Sequence, residues 1–243
     1  MNKLNEVTSQ YKPGAVTSLE NELILNWYPP RILRRLEGLT PDSLLELELG
    51  LGHGYTTALF NQHFQRHVVL EGSSVVIDLF RQNYPGLNIE LVEGYFEQFD
   101  SAEQFDVVMM GFILEHVDDP GLILRGFHGN LRPGGRLYVA VPNAKSLNRR
   151  LGLAMGKIGD IYELNANDHA LGHQRQFCRD TLKELLQAEG YQVTWEEGIY
   201  LKPLPLGYMQ TMPEFEENLQ AMCEVGVDFP DLCVGLLMEV QVA

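Results

Sequence analysis

Five short apolar segments, at residues 44–49, 67–71, 89–92, 105–110 and 137–141, alternate with stretches of helical periodicity, and this alternation restricts the fold more than any other feature. The helical patterns run over 55–63, 74–84 and 121–131, and in the second Val75, Val76, Leu79 and Phe80 are expected to face inward. Strands joined by helices run parallel, because a tight turn cannot return the chain to the same end of a sheet. The expectation is α/β: a doubly wound, mostly parallel sheet with helices on both faces.

Residues 17–38 read as two short helices. Thr17-x-x-Glu20 has the form of a capping box, and Leu23, Ile24, Trp27 and Tyr28 fall on one face. Pro29-Pro30 is expected to end the first helix and start the second, with Gly38 as the stop. Beyond the fifth strand, 144–177 reads as an insertion with some helix. A helix at 180–189 ending at Gly190, a strand at 192–196, a Pro-rich loop at 200–213, a helix near 214–223 and a strand near 234–242 follow. The expected organisation is an N-terminal helical lid, 1–40, and one domain, 41–243, with insertions at about 144–177 and 200–230.

A chain of 243 residues buries a large core unaided. Its net charge of −15 argues against a duplex nucleic-acid binder, which needs clustered Lys and Arg. Cys178, Cys223 and Cys233 form no Cys-x-x-Cys pair, so neither a metal site nor a disulfide framework is expected. They read as reduced thiols of a cytoplasmic protein. The N-terminal residues show no apolar signal-peptide core, and the longest apolar run, 107–114, is far short of the roughly 20 residues of a membrane span.

The first strand feeds Gly50-Leu51-Gly52-His53-Gly54, where glycine permits positive φ and close approach of a ligand. A dinucleotide fingerprint would want a small third residue at 55, but that position is Tyr55. The pattern is instead E-x-G-x-G-x-G, beginning at Glu48. An acid beside the loop suits a cationic ligand with an amino group better than a pyrophosphate. Glu71 closes the second strand, the place from which a carboxylate takes hydrogen bonds from a ribose diol. V-E-G-Y-F-E-Q-F, F-D-V-V-M-M-G-F-I-L-E-H-V-D-D-P and L-R-P-G-G then follow in order.

On these motifs, residues 42–198 resemble the class I S-adenosylmethionine-dependent methyltransferases. The resemblance implies a seven-stranded sheet with a reversed last strand, S-adenosylmethionine as cofactor and S-adenosylhomocysteine as its product. It implies cofactor contacts at Glu48, Gly50, Gly52, Gly54 and Glu71, at Tyr95 and Phe96 beside the adenine, and at Gly111 and Phe112 in the fourth motif. Glu48 stands where aspartate is commoner, and Tyr95 where the family usually has aspartate.

Candidate acid–base groups are His116, in the loop after the fourth strand, and His173, with His169 a lesser candidate. In an extended stretch His173, Arg175 and Phe177 would share one face. Lys145, Arg149, Arg150 and Lys157 form a local basic run that could draw in a substrate bearing a carboxylate or phosphate. Lys202, Tyr208 and Met209 are expected at the pocket rim, with Tyr11 or Trp27 closing it. No metal ligands are assigned. The resulting expectation is methyl transfer to an oxygen or nitrogen of a small molecule, without nucleic acid or membrane as partner and with a homodimer as one option. A peptide or RNA methyltransferase and a non-catalytic S-adenosylmethionine-binding module are the alternatives. A nicotinamide oxidoreductase is disfavoured by Tyr55 and by the lack of a downstream Tyr-x-x-x-Lys pair.

Overall fold

The computed structural model describes residues 18–38 and 44–243. Seven strands form one sheet: β1 (Leu45–Leu49), β2 (Arg66–Glu71), β3 (Glu90–Glu93), β4 (Phe105–Gly111), β5 (Leu131–Pro142), β6 (Tyr191–Ile199) and β7 (Gly235–Val242). Their spatial order is β3-β2-β1-β4-β5-β7-β6, with β7 antiparallel to both neighbours and the rest parallel. This is the doubly wound, seven-stranded sheet with a reversed last strand that the alternation and the motifs anticipate. The described helices are α1 (Ser18–Arg35), α2 (Tyr55–Phe60), α3 (Ser74–Asn83), α4 (Pro120–Gly126), α5 (Leu147–Ala154), α6 (Ala166–Leu171), α7 (Arg179–Ala188), α8 (Leu206–Met209) and α9 (Phe215–Gly226).

Both faces of the sheet are buried, as a parallel sheet requires. On β4, Val108 and Met110 enter one core, with Leu124, Phe127 and Leu182. Val107 and Met109 enter the other, with Tyr28, Phe60 and Tyr138. Ser73 caps α3 by accepting from Val76 N, and Asp119 caps α4 by accepting from Leu122 N.

Several boundaries differ from the sequence reading. Residues 18–35 form one helix, not two, with Pro29 and Pro30 inside it. Each interior proline costs about 3 kcal/mol. Tyr28, Ile32 and Leu36 form a stripe one turn apart that is almost wholly buried. Burial of such side chains contributes about 1.5–3 kcal/mol each, enough to offset the two broken turns. Thr17 lies outside the described residues, and Glu20 pairs with Lys202. In α3, Val75 is exposed and Ile77 is buried in its place. Strand β5 starts earlier than expected: Leu131 pairs with Phe105 and Arg136 with Val107, so 132–135 bulge out around Gly134 at φ 78°.

The alternation on β1 has unusual occupants. Leu47 and Leu49 enter the first core, while Glu46 and Glu48 are buried on the opposite face. His67 Nε2 lies 3.0 Å from Glu48 Oε2 and 3.1 Å from Glu46 Oε2, and Phe60 and Phe64 enclose the imidazole edge-on. The hydrogen bond goes to Glu48, which leaves the Glu46 carboxylate without one. Burial, reinforced by the charge of Glu48 and opposed by His67, pushes Glu46 up from 4.5 to about 8. Burial alone would lower His67, but the two carboxylates reverse that and raise it.

The native state therefore keeps a proton on Glu46 that the unfolded chain releases above 4.5. The contribution of this group to stability falls as pH rises from 4.5 to about 8. Melting temperatures measured across that window should decline less steeply for Glu46→Gln than for the unmodified chain. Equal slopes would show that Glu46 does not hold the proton.

Candidate functional site

The strand order reverses between β1 and β4, so the loops leaving their carboxyl ends diverge and open a cleft. Gly50, Gly52 and Gly54 line the first loop with φ of 80°, 50° and 80°. A Cβ at Gly50 would stand 2.7 Å from Ile113 Cδ1 and 3.8 Å from the Phe96 ring. A Cβ at Gly54 would stand 2.7 Å from both Phe80 and Tyr84. Gly50 thus faces the loop after β4, and Gly54 lets the chain lie against α3.

Glu71, at the end of β2, joins the loops. Its Oε2 accepts from Leu51 N at 3.0 Å and its Oε1 from Ser73 N at 2.7 Å. Burial lifts its carboxyl above the usual range, against the pull of the Leu51, Ser73 and Gly72 N–H groups. An ionised carboxylate has about four acceptor positions, so beside the N–H groups of Leu51, Ser73 and Gly72 it keeps capacity for a ligand hydroxyl. Gly94 N bonds Glu71 O at 3.0 Å and brings in the third loop, where Tyr95 is exposed and Phe96 packs against the core.

The fourth loop is strained. A Cβ at Gly111 would stand 2.5 Å from the Tyr28 hydroxyl. Phe112 adopts φ 57°, a conformation bulky residues avoid, held by its N–H on Ala140 O at 2.8 Å. Such strain concentrates at ligand sites. Glu48 is placed differently from the rest: its carboxylate is buried against His67 behind the glycine loop, because strand alternation turns it into the α1–α2 side of the sheet.

The chain turns sharply after Phe112, with His116 N bonded to Ile113 O at 2.9 Å. This turn brings Glu115 and His116 to the segment after α6. His116 and His173 meet edge-to-face with centroids 4.8 Å apart. Glu115 is 1% exposed, and neither carboxylate oxygen has a hydrogen-bond partner. Burial pushes it up to about 7, with His173 and Arg175 opposing. Burial, and then the charge of His173, pushes His116 down to about 4. Behind His173, Asp168 Oδ1 lies 3.3 Å from Nδ1. Burial alone would raise Asp168, but His173, the Asn165 N–H and Arg149 together hold it below the usual range.

The two segments are tightly bound to each other. Gln174 N bonds Glu115 O at 2.9 Å, and Gln174 Nε2 bonds His116 O and Asp118 Oδ1. The Arg175 guanidinium donates to the carbonyls of Leu114, Val117 and Asp118, while Phe177 enters the core. His169 is exposed on α6, away from this pair.

Other expected rim residues have structural partners. Arg149 donates to Ile161 O and Glu163 O, Arg150 to Lys145 O and Asp231 O, and Lys145 to Asp180. Three of the four residues of the basic run thus fasten the insertion to the domain, and Lys157 is exposed. Lys202 is bound by Glu20, Met209 is buried beside the Tyr200 hydroxyl, and Tyr208 is 71% exposed. Trp27 packs in the α1 core; Tyr11 lies outside the described residues.

A family of methyltransferase domains matches residues 25–196. The chain belongs to that family. Among curated relatives, this methyltransferase domain is 37% identical over 107 residues to a ubiquinone biosynthesis O-methyltransferase of Caulobacter sp. (strain K31), covering 43% of the chain and 40% of that protein. It is 28% identical over 102 residues to a cypemycin N-terminal methyltransferase of Streptomyces sp, covering 40% and 42%. The matches thus span about two fifths of the length of these relatives. Among solved structures, the Burkholderia thailandensis 1,6-didemethyltoxoflavin-N1-methyltransferase with bound S-adenosylhomocysteine superposes with a TM-score of 0.63 at 20% identity, covering 98% of this chain and 86% of that one. No helix among the described residues is long and apolar enough to cross a membrane.

Sequence reasoning missed three residues of this methyltransferase site. Ile113 packs against Gly50, Glu115 lies close to both histidines, and Asp168 backs His173. An acid directly after the apolar run 107–114 was the available signal for Glu115.

Gly50 is the point where cofactor loop and β4 loop touch. Gly50→Ala must move Ile113 and adopt a strained φ, so it should lower the melting temperature by several degrees and abolish the thermal shift produced by S-adenosylhomocysteine. Retention of the full shift would show that the loop tolerates a side chain there.

Proposed function

We propose that this chain transfers a methyl group from S-adenosylmethionine to an oxygen or nitrogen of a small molecule. The observation that carries the reading is the turn at Ile113–His116. Its first residue abuts Gly50 of the glycine loop, and its last meets His173, so a cofactor cleft and a pair of histidines share one rigid corner.

The residues present fit the cofactor. Glu71 would accept from the ribose diol, and Phe96 and Tyr95 would flank the adenine. When bound, S-adenosylmethionine supplies an activated methyl on a cationic sulfonium whose leaving group departs neutral. The protein's main task is then to align the two reactants and exclude water; positioning of this kind supplies about 7–11 kcal/mol. One of His116 and His173, whose rings meet, would hold or accept the acceptor's proton. Asp168 orients the His173 ring. Helix α1 and the segment after β6 would cover the cleft, joined by Glu20 and Lys202 at 2.7–2.8 Å.

A small acceptor is supported by the insertion at 144–177, whose arginines are bound to the chain's own carbonyls, and by the acidic balance of the sequence. Both weigh against RNA. A peptide amine is the second reading, supported by the likeness to the Streptomyces relative named as an N-terminal methyltransferase.

Thermal unfolding with S-adenosylhomocysteine should raise the melting temperature by several degrees, since a ligand at a hundredfold excess over Kd stabilises by about 2.7 kcal/mol. Glu71→Ala should weaken that binding at least tenfold, and unchanged affinity would remove Glu71 from the ribose. His173→Ala should lower turnover while leaving cofactor affinity intact; full activity would confine His173 to the packing of the corner.

A further inference from the structure

We propose that Glu22, near the start of α1, binds the ammonium group at the amino-acid end of the cofactor, in place of the acid ahead of the glycine loop. The inference rests on S-adenosylmethionine as the cofactor. Its tail carries an ammonium beside the sulfonium, and an ammonium taken out of water needs an acceptor, best an ionised one.

The acids that sequence or geometry sets around the loop have other partners. Glu48 is 3% exposed, and its Oε2 lies 3.0 Å from His67 Nε2, behind the loop. Glu71 accepts from the backbone of Leu51 and Ser73 and stands at the end of β2, on the ribose side. Glu20 holds Lys202 at 2.7–2.8 Å. Glu22 differs from all three. It is exposed, and among the described residues its carboxylate has no ion pair and accepts no hydrogen bond.

Helix α1 carries Glu22 to the glycine loop. Asn21 Nδ2 lies 3.5 Å from His53 Nε2, and the Tyr28 hydroxyl lies 2.8 Å from Thr56 Oγ1. Asn21 and Tyr28 are seven residues apart, about two helical turns, and so share one face. That face lies along the loop and the first turn of α2, and Glu22 follows directly on the residue that meets His53. His53 stacks on Tyr55 with centroids 5.8 Å apart, and the Tyr84 hydroxyl donates to His53 O at 3.4 Å. Burial and then the charge of Glu22 raise the Tyr55 phenol, while burial, Tyr55 and Glu22 raise that of Tyr84. Both phenols thus lie within reach of the Glu22 charge. Tyr84 also stands against Gly54, where a Cβ would come within 2.7 Å of its ring. Glu22 is therefore the uncommitted carboxylate at the second half of the loop, opposite the end that Glu71 occupies.

An exposed ion pair contributes little, because water competes for both charges. A cofactor tail seated between α1 and the loop excludes that water, so the contact gains strength as the cleft is filled. Selectivity follows from the same arrangement. Ligands with the amino-acid tail use Glu22, and nucleosides without it depend on Glu71 and the aromatic pair alone.

The test titrates the full chain calorimetrically with S-adenosylhomocysteine and, separately, with methylthioadenosine, which has the nucleoside and the sulfur but no amino-acid tail. Glu22→Gln keeps the shape of an exposed side chain and removes its charge. It should weaken S-adenosylhomocysteine at least tenfold and leave methylthioadenosine within about twofold of the unmodified chain. Unchanged affinity for S-adenosylhomocysteine would overturn the proposal. So would an equal loss for both ligands, which reports a disturbed loop rather than a lost ammonium contact. Glu48→Gln is measured alongside, and a tail-selective loss there but not in Glu22→Gln returns the ammonium to Glu48. If the unmodified chain binds neither ligand, the methyltransferase reading falls and takes this inference with it. If it binds both and Glu22→Gln shows no selective loss, only this inference falls.

Discussion

The structure turns on one carboxylate. Glu71 receives the backbone N–H of Leu51 through one oxygen and that of Ser73 through the other, so it ties the glycine loop after β1 to the start of α3. Removing it would leave two buried amides unpaired, each costing about 1–3 kcal/mol. Because those amides belong to the two loops that border the cleft, the group best placed to hold a ribose also holds the cleft's own shape. Binding and local order are the same interaction here, which is why loop geometry and ligand affinity are expected to change together.

A second constraint acts at the β4 end. Phe112 is forced into left-handed φ, Gly111 lies under the Tyr28 hydroxyl, and the chain then folds back so that Ile113 meets Gly50 and His116 meets His173. Arg175 and Gln174 fasten this turn through backbone carbonyls, with few side-chain contacts. Such a turn is stiff, and stiffness is what an in-line transfer asks of its scaffold, since misplacement by an ångström costs far more than a lost hydrogen bond. Two buried acid–histidine groups flank the same sheet with different outcomes. Glu46, Glu48 and His67 are closed off from solvent, with only Glu48 hydrogen-bonded to His67, whereas in the second group the His116 side chain is partly open.

Much of the fold was legible in the chain itself. Strands β1, β2, β4 and β7 fall within a residue or so of the segments that announced them, because strands buried on both faces are rich in apolar residues, even where β1 also buries Glu46 and Glu48. The glycines were legible for a similar reason, since positive φ leaves few other residues possible. Where local signals competed with packing, the sequence reading failed. Two prolines marked a break in α1, yet the buried stripe of Tyr28, Ile32 and Leu36 carries the helix through them. The basic run at 145–157 read as a steering patch, but its arginines are used on carbonyls of residues distant in sequence.

The sequence by itself determined the order of strands and helices, the glycine loop, the acid at the end of β2 and the family to which they point. These depend on periodicity and on the conformational limits of single residues, both of which are local. Only the tertiary structure decided that Glu48 turns to His67, that Glu115 is buried beside two histidines and that Asp168 backs one of them. Those facts depend on which distant segments meet and on how much water is excluded where they do. No spacing along the chain encodes that, because burial is a property of the assembled fold.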